Sequence, residues 1–300
     1  MLALIAYLLT LIAVGIFGFQ GFKLFKIISA GQSDPTRFDN KGKRLKNMFV
    51  EVFSHTKMLN FTATGIAHWF VMIGFFALLG TLVTAYGQLI NPTWALPIIG
   101  HFVGYELFAE VIAALTGIGI VTLIAIRQVT RVVKSGRSSR FYGSGTLKAY
   151  YVEVTILAIV FCVVALRGLE GALLNKSGWN WHYAISYPAV LFFSKYSATQ
   201  IESLIQVIAF TKIVVSMVWF IVVGLNLNMG IAWHRFLAFF NIYFKKYPGK
   251  ENALGPLPAM ISHGKEINFK DPKEDDVFGI GTAADISWKG LLDMSTCTEC

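Results

Sequence analysis

Two cysteines separated by two residues, Cys297 and Cys300, are the candidate metal ligands of this sequence. Thiolates at C-x-x-C spacing occur in zinc ribbons and also open the ferredoxin pattern that holds a [4Fe–4S] cluster. The two cysteines alone do not distinguish a zinc site from an iron–sulfur cluster. Because a tetranuclear cluster needs four thiolates, we expect that these 300 residues do not assemble one by themselves.

Two histidines in apolar surroundings, His68 and His234, are candidate haem ligands. An imidazole in hydrocarbon is costly, so it is either functional or satisfied by an interhelical hydrogen bond. His68 follows Lys57 and His234 precedes Lys245 by equal distances, about 16 Å along a helix. This matched depth favours a haem b held by both imidazoles. Arg235, which follows His234, indicates a shallower position for that ligand.

His55 is an alternative ligand. On one continuous helix it would be rotated about 220° from His68, so the two cannot face one partner. Asn60 or Thr62 can cap a helix that begins there, which leaves His55 in a segment that precedes the helix. The pairing of His234 with either His68 or His55 therefore stays open.

Glu106 and Glu110 are spaced i, i+4 in an apolar stretch and share one helix face. Carboxylates buried in a membrane relay protons, which a quinone site requires, whereas carboxylates at the surface are merely solvated. Both interpretations stay open.

Five other polar residues call for simpler interpretations. We expect His101 and His182 to be solvated loop residues, and Arg167 to pair with Glu170. Lys212 either extends its amine to the membrane interface or pairs with a carboxylate.

The composition of the chain indicates that membrane-spanning helices carry these residues. It is 55% hydrophobic and 14% charged, with a mean hydropathy of +0.59, which excludes a disordered chain. Stretches long enough to cross a bilayer lie at roughly 1–22, 61–90, 98–126, 150–174 and 203–231. The sequence predicts an all-α integral membrane bundle of five helices with a polar cytoplasmic tail.

The basic residues predict the orientation of this bundle. They cluster in 23–57, in 127–148 and after Trp233, and the exceptions are Arg167, Lys176, Lys195 and Lys212. By the positive-inside rule, the basic segments are cytoplasmic and the N-terminus is outside, as in a bacterial plasma membrane protein. The net charge of +9 thus reflects topology beside a lipid bilayer, and we do not expect a nucleic-acid partner.

The composition changes after residue 247. Prolines and the acidic run Glu274-Asp275-Asp276 follow, which indicates a linker. We therefore predict a five-span membrane haem b domain over 1–247. Residues 248–300 form a cytoplasmic linker and the truncated start of a ferredoxin-like 4Fe–4S domain.

Several motifs carry a resemblance to a known family over essentially the whole chain. They are Gly65-Ile-Ala-His68, Ser139-Arg-Phe-Tyr-Gly-Ser144, Gly255-Pro-Leu-Pro258, Asp271-Pro, Glu274-Asp-Asp-Val-Phe-Gly279, Trp288-Lys-Gly and Asp293-Met-Ser-Thr-Cys-Thr-Glu-Cys300. The chain resembles the N-terminal part of actinobacterial membrane-bound iron–sulfur reductases. These are related to heterodisulfide reductase and associated with electron-transfer flavoprotein dehydrogenase activity.

The resemblance implies a membrane haem domain similar to the nitrate reductase gamma subunit, followed by iron–sulfur modules. It implies electron flow from electron-transfer flavoprotein, loaded in fatty acid beta-oxidation, through 4Fe–4S clusters and haem b to menaquinone. Cys297 and Cys300 match the first two cluster ligands, and His68 and His234 match haem positions. Many relatives carry a further histidine where this chain has Ser216, so the chain lacks that ligand for a second haem.

Two other classes compete with this quinone-linked oxidoreductase. A haem-free membrane anchor that docks an iron–sulfur module is the runner-up. A transporter has less support, because paired broken helices are not evident in the sequence.

The predicted topology is testable with reporter fusions. A reporter joined after residue 95 is expected to be active outside the cell, and one joined after residue 140 in the cytoplasm, because basic segments stay inside. Outside-only activity of the fusion at 140 would refute the orientation.

Overall fold

A computed structural model of the chain describes residues 1–129, 146–174, 178–247 and 259–298. Cys300, the motifs at 139–144 and 255–258, and the beginning of the predicted linker lie outside the described residues. The loop lysine Lys176 also lies outside them.

Helices dominate the described residues, which confirms the all-α prediction at the level of fold class. The helices are α1 (Leu2–Ser29), α2 (Lys41–Phe53), α3 (Thr62–Ala77), α4 (Leu79–Gln88), α5 (Val103–Val129), α6 (Thr146–Leu173), α7 (Tyr187–Phe193), α8 (Ala198–Leu225), α9 (Gly230–Tyr243) and α10 (Trp288–Thr296). The strands β1 (Ile261–Ser262) and β2 (Lys265–Glu266) form one antiparallel hairpin.

Four helices, α1, α5, α6 and α8, are long and apolar enough to cross a membrane. The helices α3 and α4 meet at a bend of 41° and make a fifth span if they are counted together. The protein is thus a multi-pass membrane protein with four or five candidate spans among the described residues. The exposed apolar side chains of α1, such as Leu4 and Leu11, suit a lipid environment.

The predicted second span, 61–90, is interrupted at Leu78. The carbonyl of Leu78 accepts a bond from the Thr81 hydroxyl at 2.6 Å. The start of α3 also differs from the prediction that Asn60 or Thr62 caps it. The N-cap is Phe61, which makes no side-chain cap bond, because a 3-10 turn over Met58–Asn60 leads into the helix.

The predicted fifth span, 203–231, is wrong at its C-terminal end. The helix α8 ends at Leu225, and α9 begins at Gly230. The intervening residues form a turn, in which the Met229 amide donates to the Asn226 carbonyl at 3.0 Å. His234 therefore lies on a helix separate from the predicted span.

The described residues form two compact units. The first unit comprises Met1–Gly18 and Lys57–Leu225, and the second comprises Phe19–Thr56 and Asn226–Cys300. The helix α1 is continuous and contributes residues to both units. The predicted boundary at residue 247 stays a prediction.

Small residues let the helices of the first unit approach closely. A methyl group on Gly119 of α5 would lie 2.7 Å from the Ala67 carbonyl oxygen of α3, and one on Gly74 would collide with Thr116. Such contacts matter because lipid supplies no hydrophobic force between helices, so association depends on packing and hydrogen bonds. The packing of α3 on α5 therefore depends on the lack of a side chain at these positions.

Arg44 of α2 organises part of the second unit. Its buried guanidinium donates to the carbonyls of Tyr243, at 3.2 Å, and Lys245, at 2.6 Å, where α9 ends. A cation at a helix C-terminus satisfies orphan carbonyls and complements the helix dipole. In the same unit, α10 contacts α9 through Asn241, whose amide donates to Asp293 at 2.8 Å.

Two glycines on α5 offer a matched test of this packing. Gly119→Ala is expected to lower the free energy of unfolding by about 1–3 kcal/mol, because its methyl group meets backbone. Gly117→Ala is the control, because its methyl group would lie at an ordinary 3.4 Å from Val160. Thermal unfolding in detergent measures both, and equal stability of the two variants would contradict the close approach.

Candidate functional site

The first unit contains a cluster of buried charges centred on Arg167 of α6. Its guanidinium lies 3.1 Å from Glu106, 3.5 Å from Glu110 and 2.5 Å from Glu170. The predicted pair of Arg167 and Glu170 is confirmed, and the two carboxylates of α5 join it. A helical spacing of four residues places both α5 carboxylates toward the same partner.

Arg167 also fixes the segment that follows residue 177. It donates to the His182 carbonyl at 2.5 Å, and its guanidinium carbon lies 4.6 Å from the centre of the Tyr183 ring. Burial raises the pKa of the Tyr183 phenol, which therefore stays protonated at neutral pH. Arg167 thus contacts this segment through both a hydrogen bond and a cation–π contact.

Glu110 holds the start of α7. Its carboxylate accepts bonds from the Ile185 amide at 2.8 Å, the Ser186 amide at 3.2 Å and the Ser186 hydroxyl. A carboxylate at a helix N-terminus satisfies amides that have no intrahelical partner. With both oxygens engaged in this way, Glu110 serves as an anchor of the loop.

Glu106 connects the cluster to His182. One of its carboxylate oxygens makes a hydrogen bond with His182 Nδ1, and the other accepts from Arg167. The expectation that His182 is a solvated loop residue is therefore wrong, because the loop folds back onto α5. The imidazole keeps about a quarter of its side-chain surface exposed, at 25%, so it links a buried carboxylate to water. His101 is exposed, as expected.

A cavity of about 230 Å³ lies beside this cluster in the first unit. Its polar wall includes Glu106, Glu170 and Lys212, and its apolar wall includes Leu166 and Leu173. A mostly apolar recess with a few convergent polar groups is the usual form of a small-molecule site.

Lys212 of α8 is buried, with 1% of its surface exposed, and makes no salt bridge among the described residues. Its amine donates instead to the Thr81 hydroxyl at 2.7 Å. That hydroxyl in turn donates to the carbonyl at the bend between α3 and α4. Both alternatives predicted for Lys212 are therefore wrong, since the bend supplies a hydroxyl acceptor inside the bundle.

Three buried polar atoms of residues that line the cavity have no hydrogen-bond partner among the described residues. They are the side-chain carbonyl oxygen of Gln88, the hydroxyl of Tyr105 and Nε of Arg167, which lies 3.5 Å from Glu110. The amide nitrogen of Gln88 donates to Glu170 at 2.5 Å, so only its oxygen is available. The sequence patterns did not single out Gln88 or Tyr105. The feature that could have identified them is a polar side chain within an apolar stretch, an amide on one predicted span and a phenol on the next.

The second unit holds His55 and His234, and in both the ring is oriented by a backbone carbonyl. His55 Nδ1 lies 2.8 Å from the Val52 oxygen, and His234 Nδ1 lies 3.3 Å from the Gly230 oxygen. A carbonyl accepts from an N–H group, so Nδ1 carries the proton and the lone pair is on Nε2. This tautomer is the one found in metal-bound histidines with a backbone partner.

His55 also has an unusual backbone. Its φ of 47° is in the left-handed region, directly after the C-cap residue Ser54 of α2. Glycine is the usual residue there, because other side chains are strained by about 1 kcal/mol or more. His55 is buried and lies in a segment before α3, as the sequence predicts.

His68 lies on α3 in the first unit and is half-buried. Its neighbours Gly65 and Ala67 are buried against backbone atoms of Met58 and Gly119. The ligand pairs that the sequence predicts stay predictions.

Cys297 lies beside the first residue of α9. A side chain on Gly230 would collide with the Cys297 carbonyl oxygen, so the end of α10 contacts the helix that carries His234. The thiol of Cys297 is free and exposed, while Cys300 lies outside the described residues. Among the described residues, no three His, Cys, Asp or Glu side chains form a group that would hold a metal ion.

The importance of Arg167 is testable by removing its charge. Arg167→Met is expected to lower the free energy of unfolding by about 3–5 kcal/mol, because it leaves buried carboxylates without a counter-ion. Lys195→Met is the matched control, because it removes one exposed charge from the same unit. Thermal unfolding in detergent decides, and a similar small change in both variants would contradict this role.

Comparison with known proteins gives a distant relative. No protein-family model matches the chain, and no solved structure matches it. The chain is 20% identical over 303 residues to an EtfAB:quinone oxidoreductase from Syntrophomonas wolfei subsp. wolfei (strain DSM 2245B / Goettingen). The match covers 98% of this chain and 39% of the relative, so the chain spans less than half of that protein. The similarity supports a distant relationship to that quinone oxidoreductase.

Proposed function

We propose that the chain is the membrane part of an oxidoreductase that passes electrons from electron-transfer flavoprotein to menaquinone. The observation that carries this proposal is the match to an EtfAB:quinone oxidoreductase over 98% of the chain. The apolar helices agree with a lipid-soluble acceptor. We place the protein in a bacterial plasma membrane, with the N-terminus outside and the C-terminus in the cytoplasm.

A haem b is part of this proposal. His68, His234 and His55 are its candidate ligands, and the donor chemistry of an imidazole fits haem iron. The carbonyl bonds at Nδ1 of His55 and His234 orient these rings and leave the lone pair on Nε2. When bound, a haem with two imidazole ligands accepts and passes on single electrons.

Cys297 and Cys300 are proposed as two of the four thiolate ligands of a 4Fe–4S cluster. The contact of the Cys297 carbonyl with Gly230 supports this assignment, since it brings a cluster ligand next to the first turn of α9. His234 lies in the following turn of the same helix. Electrons from the cluster would therefore have a short path to that histidine.

Glu106 is proposed as the proton-carrying member of the predicted relay pair. Its bond to the partly exposed His182 supports a route from water, and Glu106 lines the cavity. Glu110 is proposed to act only as an anchor, because the Ile185 and Ser186 groups occupy its oxygens. One of the two carboxylates thus transfers protons, and the other holds the loop in place.

The competing function is a haem-free membrane anchor that docks an iron–sulfur module. A dithionite-reduced spectrum of the purified protein separates the two, because only the proposed function gives the bands of a b-type cytochrome. The expected result is one low-spin haem b per chain.

Substitution of the candidate histidines identifies the haem ligands. His234→Ala and one of His68→Ala or His55→Ala are expected to lose the low-spin spectrum, because alanine supplies no lone pair to the iron. His101→Ala is the control, because that imidazole is exposed. A normal spectrum in all three ligand variants would refute the haem assignment, and absence of haem in the wild-type protein would favour the anchor.

A further inference from the structure

The cavity beside the Arg167 cluster offers unused hydrogen-bonding capacity in an apolar enclosure. Leu166, Leu173 and Val163 contribute apolar walls, and polar atoms lie at only a few positions. The cavity volume of about 230 Å³ is sufficient for a compact ring system. A ligand here is in contact with helices that are long enough to cross the membrane.

Three polar groups define what such a ligand must offer. The Tyr105 hydroxyl has no partner among the described residues and can donate one bond. The Lys212 amine donates to Thr81 and has at least one further N–H group to donate. The Gln88 side-chain oxygen, in a residue with 1% exposure, accepts a bond and has no partner among the described residues. A ligand with two carbonyl oxygens can accept from Tyr105 and Lys212, and a ligand hydroxyl group can donate to Gln88.

The charged side chains around the cavity disfavour an ionic ligand. The carboxylates of Glu106, Glu110 and Glu170 are opposed by the guanidinium of Arg167, and the Lys212 amine adds a further basic group. An anion in the cavity would face the two lining carboxylates of Glu106 and Glu170, and a cation would face the guanidinium of Arg167. Burial of either ion would also be costly in this apolar region. A neutral, flat ligand with hydrogen-bonding oxygens fits better.

We propose that this cavity binds the head group of a quinone, with Tyr105 and Lys212 donating to its oxygens. The identity of the ligand rests on the proposed function, whereas the place and the residues rest on the cavity itself. After reduction to the quinol, the ring hydroxyl can donate to the Gln88 oxygen. The orphan acceptor thus gains a partner in the reduced form of the ligand.

The reaction balances with the groups around the cavity. Reduction of the quinone to the quinol takes two electrons, which the proposed donors deliver singly, and two protons, one for each ring oxygen. Protons reach the cavity from water through His182 and then Glu106, which are hydrogen-bonded to each other. Two passages along this route supply both protons.

Binding of menadione, a naphthoquinone without an isoprenoid tail, tests the site in the 300-residue protein in detergent. Equilibrium dialysis of the oxidised compound needs no electron donor, so the result is independent of haem, cluster and flavoprotein. One saturable site is expected. Tyr105→Phe is expected to weaken binding about fivefold to tenfold, which corresponds to one hydrogen bond.

Tyr196→Phe is the matched control, because Tyr196 is exposed and does not line the cavity. Lys212→Met is a second variant, and if it does not fold, Tyr105→Phe alone decides. Equal affinity of wild type, Tyr105→Phe and Tyr196→Phe would overturn the proposal, as would the absence of saturable binding. If the wild-type protein shows no haem spectrum but still binds menadione, the haem part of the proposed function is refuted and the quinone site is still supported.

Discussion

A guanidinium cannot stay charged inside a helix bundle unless anions and carbonyls surround it, and Arg167 meets that constraint with groups from several segments. Glu106 and Glu110 come from α5, Glu170 comes from its own helix, and the His182 carbonyl comes from the following loop. Because desolvation of an ion costs several kcal/mol, no member of this cluster can be removed independently of the others. The position of α5 relative to α6, the fold of the loop and the polar wall of the cavity all depend on this one charge.

The need of a buried charge for polar partners also distinguishes Glu106 from Glu110, which look equivalent in the sequence. Glu110 accepts bonds from two amides and a hydroxyl, so its charge stabilises the start of a short helix. Glu106 instead shares its oxygens between a guanidinium and an imidazole that is partly exposed. Environment therefore gives the two glutamates different hydrogen-bond partners.

Local features of the chain were predictable, and features that depend on tertiary contacts were not. Hydropathy located the spans, and the spacing of Glu106 and Glu110 placed both on one face. The link from Glu106 to His182 requires a loop 76 positions away to fold back, which no local pattern indicates.

The breaks in the helices were also missed. Hydropathy treats α3 and α4 as one straight span through Leu78, and it extends the fifth span beyond the end of α8 at Leu225. At Leu78 the interruption is marked by the Thr81 hydroxyl, which bonds the backbone carbonyl and competes with regular helix geometry. Because His234 follows the second break, its place on α9 depends on a turn that the sequence pattern did not reveal.

The loop over residues 178–186 is held without a covalent cross-link. The described cysteines, Cys162 and Cys297, lie outside this loop, and hydrogen bonds to the buried charges of Arg167 and Glu110 fix it instead. Thiol reductants and oxidants therefore have nothing to act on there, in contrast to loops that are closed by disulfides. Buried ion pairs are also screened only weakly by dissolved salt. The loop should keep its conformation across wide changes in the redox potential and the ionic strength of the medium it faces.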